Sequence, residues 1–202
     1  MDTIRYFVAL ILVVGLPVLF LYWLLIHPLI RFWRAKGARL TYTAILTLIA
    51  IAMIGLFSIR QELLTTDFGT SYPLLIVGVL CLVLAGAMRF AIQKHLTTEV
   101  LLGVPEIAPD RYPRVLMTEG IYARMRHPRY VQLLIALVGY ALIANRLASY
   151  IVVALWLPAV CLIVALEEKE LVEYFGESYA NYCLRVPRFI PKLRATATKD
   201  HK

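Results

Sequence analysis

The sequence predicts an all-α integral membrane protein with about five transmembrane helices. Of its 202 residues, 61% are hydrophobic and 17% are charged. Soluble domains carry roughly 45–50% apolar and about 25% charged residues, so this balance indicates the bilayer. Several apolar runs approach the roughly 20 residues that a helix needs to cross a hydrocarbon core of about 30 Å. The three cysteines (Cys81, Cys161 and Cys183) show no disulfide or metal spacing, and we expect free thiols and no metal site.

Five apolar runs define the predicted spans. The first is too long for the core of a signal peptide, and no small-residue cleavage site follows it. In the third run, Gly78 and Gly86 are expected to permit close helix contact. We divide the chain into an N-terminal three-helix membrane region, residues 1–92, and a C-terminal region, residues 93–202. The predicted spans cover approximately residues 6–26, 42–59, 72–92, 130–144 and 148–166.

The net charge of +8 is distributed unevenly between the two ends of these spans. Basic residues cluster after the first span, between the third and the fourth, and after the last. The other ends receive only Arg5, Arg60 and Arg146. By the positive-inside rule, we expect the N-terminus outside and the C-terminus in the cytoplasm. The membrane is expected to be a bacterial inner membrane. The basic residues therefore indicate topology and anionic membrane lipids, and not nucleic acid.

Two connecting segments differ in character. The outer loop, residues 60–71, is predicted to be an ordinary connector. The segment 93–125 contains Pro105, Pro109 and Pro113, so it cannot be one helix, and a loop of this length is typical of a cover over a site. Its apolar patch 115–117 has two equally good interpretations. It either presses against a flat ligand or dips into the headgroup zone.

The last two spans form a predicted hairpin with a charged mouth. If both are helices joined by a tight turn, Arg126 and His127 come to lie beside Glu167 and Glu168. Pro128 suits the first turn of the fourth span, and the free amides there favour an anionic group. A polar cluster at the mouth of an apolar hairpin can bind a charged small molecule. We interpret it as a cofactor site at the cytoplasmic end.

The last span is predicted to continue as a helix to a stop at Gly176. Glu167 and Glu168 abut the apolar run, where an unpaired carboxylate is costly, so each should have a partner. Arg126 or a bound ligand would serve. Glu170 and Glu173 are interpreted as solvated. The tail 186–191 is expected to form a short amphipathic cap that lies along the membrane.

Thirteen residues between 114 and 191 carry a family resemblance. Their combination and spacing resemble the isoprenylcysteine carboxyl methyltransferase family, and phospholipid N-methyltransferases and bacterial thiol methyltransferases share a similar C-terminal half. The first three spans match in hydropathy alone. The residues are Gly120, Tyr122, Arg126, His127, Pro128, Tyr130, Glu167, Glu168, Phe175, Gly176, Tyr179, Tyr182 and Pro191.

The resemblance implies an S-adenosylmethionine-dependent methyltransferase that acts on a small lipophilic acceptor from the bilayer. His127 and Glu168 would be catalytic, assisting an acceptor that must lose a proton. The alternative is a non-catalytic membrane subunit that keeps the fold for interaction or assembly. Carried over by position, with Arg126 added from its place at the helix start, the cofactor-binding residues would be Arg114, Val115, Leu116, Met117, Tyr122, Arg126, His127, Pro128, Tyr130 and Glu167.

Two positions depart from the family pattern. Gln132 stands where glycine is common, and Ile163 stands where the isoprenylcysteine enzymes have an arginine. That arginine is the natural partner of a substrate carboxylate. Ile163 lies one turn before Glu167 and is expected to face the site or its apolar approach. A prenylcysteine is therefore expected to be a poor acceptor, and a neutral or amine-bearing lipophile a better one.

Overall fold

The structure is a computed structural model that describes residues 1–26, 29–93 and 115–191. Within these ranges the chain is built from α-helices, with one π-helical turn (Ile11–Gly15) and one 3₁₀ turn (Gly120–Ala123). The π turn joins the first two helices into one continuous apolar rod. The helices are α1 (Asp2–Leu10), α2 (Leu16–Ile26), α3 (Ile30–Lys36), α4 (Ala38–Ser58), α5 (Arg60–Leu63), α6 (Tyr72–Gln93), α7 (Pro128–Ala144), α8 (Leu147–Phe175) and α9 (Glu177–Arg185).

The predicted all-α membrane fold is confirmed. Four stretches in the described chain are long and apolar enough to cross a membrane: α1 with α2, α4, α6 and α8. The fifth predicted span, α7, is also an apolar helix, but it has only 17 residues. Between the first two predicted spans, where the basic residues cluster, the chain forms the short helix α3.

Close backbone contact joins α6 to α7, so the N-terminal region packs directly on the C-terminal one. A Cβ atom added to Gly78 would lie 2.8 Å from the carbonyl oxygen of Gly139, and one added to Gly139 would lie 2.8 Å from that of Gly78. Neither position has room for a side chain without a shift of backbone. The predicted role of Gly78 is confirmed, whereas a Cβ on Gly86 would meet nothing within 4 Å. The expectation for Gly86 is wrong, because no other helix of the described chain packs closely against that position.

A cluster of three charged residues and one asparagine joins the start of α1 to two connections at one end of the helices. We call it the distal cluster: Arg5, Asp67, Asn145 and Arg146. Arg5 is 1% exposed and pairs with Asp67, which also accepts from Arg146 at 2.7 Å. The backbone N–H of Phe68 donates to the carbonyl of Asn145 at 3.1 Å. The start of α1, the 60–71 connection and the α7–α8 turn therefore lie on the same side, as five crossings require.

The 60–71 connection is more than the ordinary connector that was predicted. Asn145 has a left-handed backbone, with φ of 47°, at the end of α7, and its side chain donates to the carbonyl of Gly69 at 2.9 Å. Burial by itself raises the pKa of Asp67, but hydrogen bonds from Gly69 and Arg5 and the charge of Arg146 hold that pKa below its ordinary value. The loop thus fixes the far end of the hairpin whose mouth carries the site.

Replacing Asp67 by asparagine should destabilise the protein, because the guanidinium of Arg5 would remain buried without its main counter-charge. Removing one partner of a fully buried pair costs about 3–5 kcal/mol, and since the Asp67 side chain is 29% exposed we expect on the order of 2 kcal/mol. Chemical unfolding in mixed micelles measures this cost. Asp2→Asn is the matched control: Asp2 also pairs with Arg5, but its side chain is 86% exposed. Equal effects of the two substitutions would contradict the prediction.

The same variant carries a pH signature. A carboxylate whose pKa is lowered by folding contributes stability above its unfolded pKa of about 3.9 and loses it as the pH falls through the folded value. The stability difference between the native chain and Asp67→Asn should therefore shrink below about pH 4. A difference that stays constant down to acid unfolding would show that the charge of Asp67 does not matter.

Candidate active site

The C-terminal segment folds back over the start of α7. We call residues 186–191 the strap. The backbone N–H of Arg126 donates to the carbonyl of Pro187 at 2.8 Å, and that of His127 donates to the carbonyl of Arg188 at 3.0 Å. Two prolines, Pro187 and Pro191, keep this segment out of a regular helix. The strap therefore satisfies two backbone amides just ahead of α7.

Glu168 lies at the centre of three cationic or imidazole side chains. Its Oε1 accepts from Nε of Arg126 at 2.9 Å and lies 3.0 Å from Nε2 of His127. Its Oε2 accepts from Nε of Arg188 at 2.8 Å. Glu168 is 8% exposed, so each bond forms with little competition from water. The expected pairing of Arg126 with the acidic pair is confirmed, and it falls on Glu168.

Arg126 also organises the end of α9. Its Nη1 donates to the carbonyl of Cys183 at 3.0 Å and to the carbonyl of Val186. The guanidinium thus joins α8, α9 and the strap through charge-assisted hydrogen bonds, which are the stronger class. These three partners are internal to the protein. The guanidinium of Arg126, one part of the predicted anion site, is therefore already bonded within the protein.

Glu167 has a different environment from its neighbour. Its Oε2 accepts from the hydroxyl of Tyr130 at 2.9 Å, and its side chain is only half-buried. Tyr130 is 6% exposed, and its ring lies 5.9 Å from that of His127. Within the described part of the chain, Tyr130 is the one hydrogen-bond partner of Glu167. Glu167 can therefore accept further hydrogen bonds, whereas both carboxylate oxygens of Glu168 are already bonded.

Tyrosines form the wall between the 3₁₀ turn and α9. The hydroxyl of Tyr182 donates to the carbonyl of Tyr122 at 2.7 Å, and Tyr179 and Tyr182 pack with Val186 and Leu116. Burial raises the pKa of Tyr122 to about 12 and raises the pKa of Tyr182 as well. Both phenols are therefore neutral at physiological pH. They offer ring faces and hydroxyl groups, and not general-base chemistry.

The structure brings most of the predicted site residues together. Tyr122, Arg126, His127, Tyr130 and Glu168 are buried or nearly so around the mouth of the hairpin, and Pro128 begins α7 as predicted. Leu116 packs under the tail tyrosines, Met117 is half-buried, and Val115 is 70% exposed. Arg114 lies outside the described residues.

Sequence reasoning missed Arg188 and Phe189. Arg188 was counted among the basic tail residues without a partner in the site. Arg188 binds Glu168, and the ring of Phe189 lies 6.1 Å from that of His127. The sequence did contain a signal. Arg188 lies in a short segment of apolar residues bounded by Pro187 and Pro191, which is unusual for a solvated tail.

Ile163 does not face an open approach. It is 0% exposed and belongs to the main apolar core, with Tyr130, Leu137 and Val164. The expectation of an open apolar approach at this residue is wrong, because the face of α8 that carries Ile163 packs against neighbouring helices, in the same core as the site residue Tyr130. The position of Ile163 therefore gives no structural reason to disfavour an anionic acceptor.

An apolar groove of about 450 Å³ runs between α2 and α8. Pro158 interrupts the hydrogen bonding of α8 at this level, and Pro17 lies opposite at the start of α2. Leu162 lies five residues before Glu167, or about 7–8 Å along the helix axis. The groove thus approaches the site from the membrane interior. Its lining consists of Leu16, Pro17, Phe20, Val152, Leu155, Trp156, Pro158, Ala159 and Leu162.

These features define an integral membrane protein with a carboxylate-bearing aromatic site at the mouth of its last helical hairpin. The chain belongs to the phospholipid methyltransferase family, whose family model matches residues 73–178, just over half of the sequence. The match begins within α6 and ends just after α9 has begun, so it contains Arg126, His127 and Glu168 but not Arg188 of the strap.

Individual relatives resemble a shorter stretch. The chain is 37% identical over 78 residues to a protein-S-isoprenylcysteine O-methyltransferase of Schizosaccharomyces pombe, and 36% identical over 84 residues to a methanethiol S-methyltransferase of Pseudomonas deceptionensis. A protein-S-isoprenylcysteine O-methyltransferase B of Arabidopsis thaliana is 34% identical over 77 residues. Each match covers 38% of this chain and between 29% and 39% of the relative. No solved structure matches the chain.

Glu168→Gln should loosen the strap, because a neutral amide cannot balance Arg126 and Arg188 together. Losing charge-assisted bonds of about 1.5–3 kcal/mol each should speed amide exchange of Arg126 and His127 by roughly tenfold or more. Hydrogen–deuterium exchange of peptides over residues 121–131 measures this. Glu177→Gln, at an exposed position on α9, is the control. Unchanged exchange in Glu168→Gln would show that the strap is held by its backbone contacts alone.

Proposed function

We propose that the protein transfers a methyl group from S-adenosylmethionine to a small lipophilic acceptor within the membrane. The observation that carries the proposal is the contrast between two adjacent carboxylates. Glu168 is saturated by Arg126, His127 and Arg188, whereas Glu167 retains acceptor capacity beside the rings of Tyr130 and His127. Membership of a methyltransferase family supports the reaction type.

The residues present fit this cofactor. When bound, S-adenosylmethionine supplies an electrophilic methyl group on a sulfonium centre. Glu167 would accept hydrogen bonds from its ribose hydroxyls or its ammonium, and the hydroxyl of Tyr130 fixes the orientation of that carboxylate. Tyrosine rings suit an adenine or a cationic sulfur. Tyr122, Leu116 and Met117 would supply apolar contact, with Val115 and Arg114 beside them in sequence.

Methyl transfer by direct displacement requires mainly that the protein align the two reactants and exclude water. Both carboxylate oxygens of Glu168 are already bonded by Arg126, His127 and Arg188, so we assign it a structural role, which fixes His127 and the start of α7 at Pro128. His127 is 5% exposed and lies next to Tyr130. Of the two residues predicted to be catalytic, His127 is the better placed to assist an acceptor that must lose a proton.

The groove between α2 and α8 supports a lipophilic acceptor. It is lined almost entirely by apolar side chains and ends about 7–8 Å along α8 from Glu167, so a hydrocarbon chain lying in it would direct its polar end towards the site. A small thiol is a second candidate class of acceptor, because one of the relatives is a methanethiol S-methyltransferase. The lysine and arginine asymmetry supports a cytoplasmic site, with the N-terminus outside.

Glu167→Gln should weaken the binding of S-adenosylmethionine while the protein stays folded. The loss of one charge-assisted hydrogen bond typically costs about 1.5–3 kcal/mol, which is roughly ten- to a hundredfold in affinity. Titration calorimetry of detergent-purified protein measures it, with Glu173→Gln, an exposed position on the same helix, as the control. If the native protein binds no S-adenosylmethionine, the proposed function fails, and a non-catalytic role takes its place.

Ala159→Phe should obstruct the groove and discriminate between the two acceptor classes. We expect slower methylation of long-chain compounds in a membrane lipid extract, with little change for methanethiol or in cofactor affinity. Labelled S-adenosylmethionine and product chromatography give both rates. Leu157→Phe is the matched control, because Leu157 is 50% exposed and lies outside the groove lining. Equal loss with both acceptors would show that the groove does not select for chain length.

A further inference from the structure

The strap lies at the depth where the apolar part of α8 ends. Leu166 is the last residue of the apolar run, and Glu168 follows two residues later, about 3 Å further along the axis. Arg188 binds Glu168, and Phe189 packs against the main apolar core. Residues 188 and 189 are therefore level with the boundary between the hydrocarbon and the headgroups.

Helix α9 descends towards this boundary. It begins after Phe175, about 13 Å beyond Leu166, and its other end returns to the site because the carbonyls of Cys183 and Val186 bind Arg126. The charged residues of α9 change from acidic to basic in the same direction. Glu177 marks the end of α9 that is far from the membrane, and Arg185 marks the near end.

The near end carries the most exposed apolar side chains of the described protein. Leu184 is 84% exposed and Ile190 is 81% exposed, the two highest values among its large apolar residues. On α9 the buried residues Tyr179 and Tyr182 face α8, which leaves Leu184 on the opposite side. Both exposed side chains thus stand beside the membrane boundary with no protein cover from the described chain.

We propose that the end of α9 and the strap form a surface that inserts into the phospholipid interface, with Leu184 and Ile190 in the acyl boundary and Arg185 at the headgroup phosphates. A phospholipid bilayer fits because the apolar side chains sit at its edge, the basic residue is nearest to it and the acidic one is furthest away. The inference is independent of the methyl-transfer proposal.

This contact would couple the bilayer to the site. The strap that carries Ile190 also holds Glu168 through Arg188 and shields His127 with Phe189. Insertion of Ile190 would therefore hold closed the ring of contacts around Glu168. A strap that leaves the interface would expose that ring to water.

The test places a fluorescent bimane probe on Ile190→Cys, with Leu184→Cys as a second position and Glu177→Cys as the solvent control. Cys81, Cys161 and Cys183 are replaced by serine in the full-length background, and secondary structure is checked by circular dichroism. The protein is reconstituted in nanodiscs of phosphatidylcholine and phosphatidylglycerol. Quenching by aqueous iodide is compared with quenching by phospholipids that carry a nitroxide at carbon 5 of the acyl chain.

We expect iodide to quench the probes at 190 and 184 about threefold less than the probe at 177, and the nitroxide lipids to quench them strongly, as for residues at the acyl boundary. Iodide quenching equal to that at 177 would overturn the proposal. So would protection from both quenchers, because protein would then cover the surface. Pyrene excimers between labelled copies in that case would identify a second copy as the cover.

Discussion

The arrangement of the site depends on the pairing of Glu168 with Arg126 and Arg188. A carboxylate that is 8% exposed at the end of an apolar helix is costly unless it is compensated, and two guanidiniums and an imidazole compensate it here. Arg126 and His127 come from the residues before α7, and Arg188 comes from the strap. Satisfying one charge thus fixes the relative positions of α7, α8 and the C-terminal tail.

The distal cluster performs the matching task at the other end of the hairpin. There Asp67 joins Arg5 to Arg146, and the left-handed Asn145 closes the turn between α7 and α8. Between the two polar ends the helices are held by apolar packing and by the close contact of α6 with α7. Because both ends of the hairpin are fixed by charges, its mouth can remain a defined site although one wall is an open apolar groove.

The sequence predicts well what short-range chemistry determines. Pro128 at a helix start, Gly176 at a helix end and the encounter of Arg126 with the acidic pair all follow from local signals and from a tight turn. The strap was not predictable in the same way. Two of its contacts are backbone hydrogen bonds across about sixty residues, and side-chain pattern carries no record of them.

The rotation of each helix about its own axis was the second feature that could not be predicted from the sequence. Whether Ile163 faces a core or an open path depends on how α8 is rotated relative to its neighbours, and a uniformly apolar helix gives no phase from which to read that rotation. The same uniformity hid the difference between Gly78 and Gly86. Conversely, the outer loop looked like a plain connector because its role lies in contacts with Arg5 and Arg146, which are distant in sequence.

The length of α7 has a consequence for the surrounding membrane. Its 17 residues span about 26 Å, which is short of a hydrocarbon thickness of about 30 Å. Such hydrophobic mismatch is relieved when lipids next to the helix compress. The bilayer should therefore be thinnest beside the mouth of the hairpin. A dimple there would bring phospholipid headgroups down to the level of Tyr130 and shorten the path from the leaflet to Glu167.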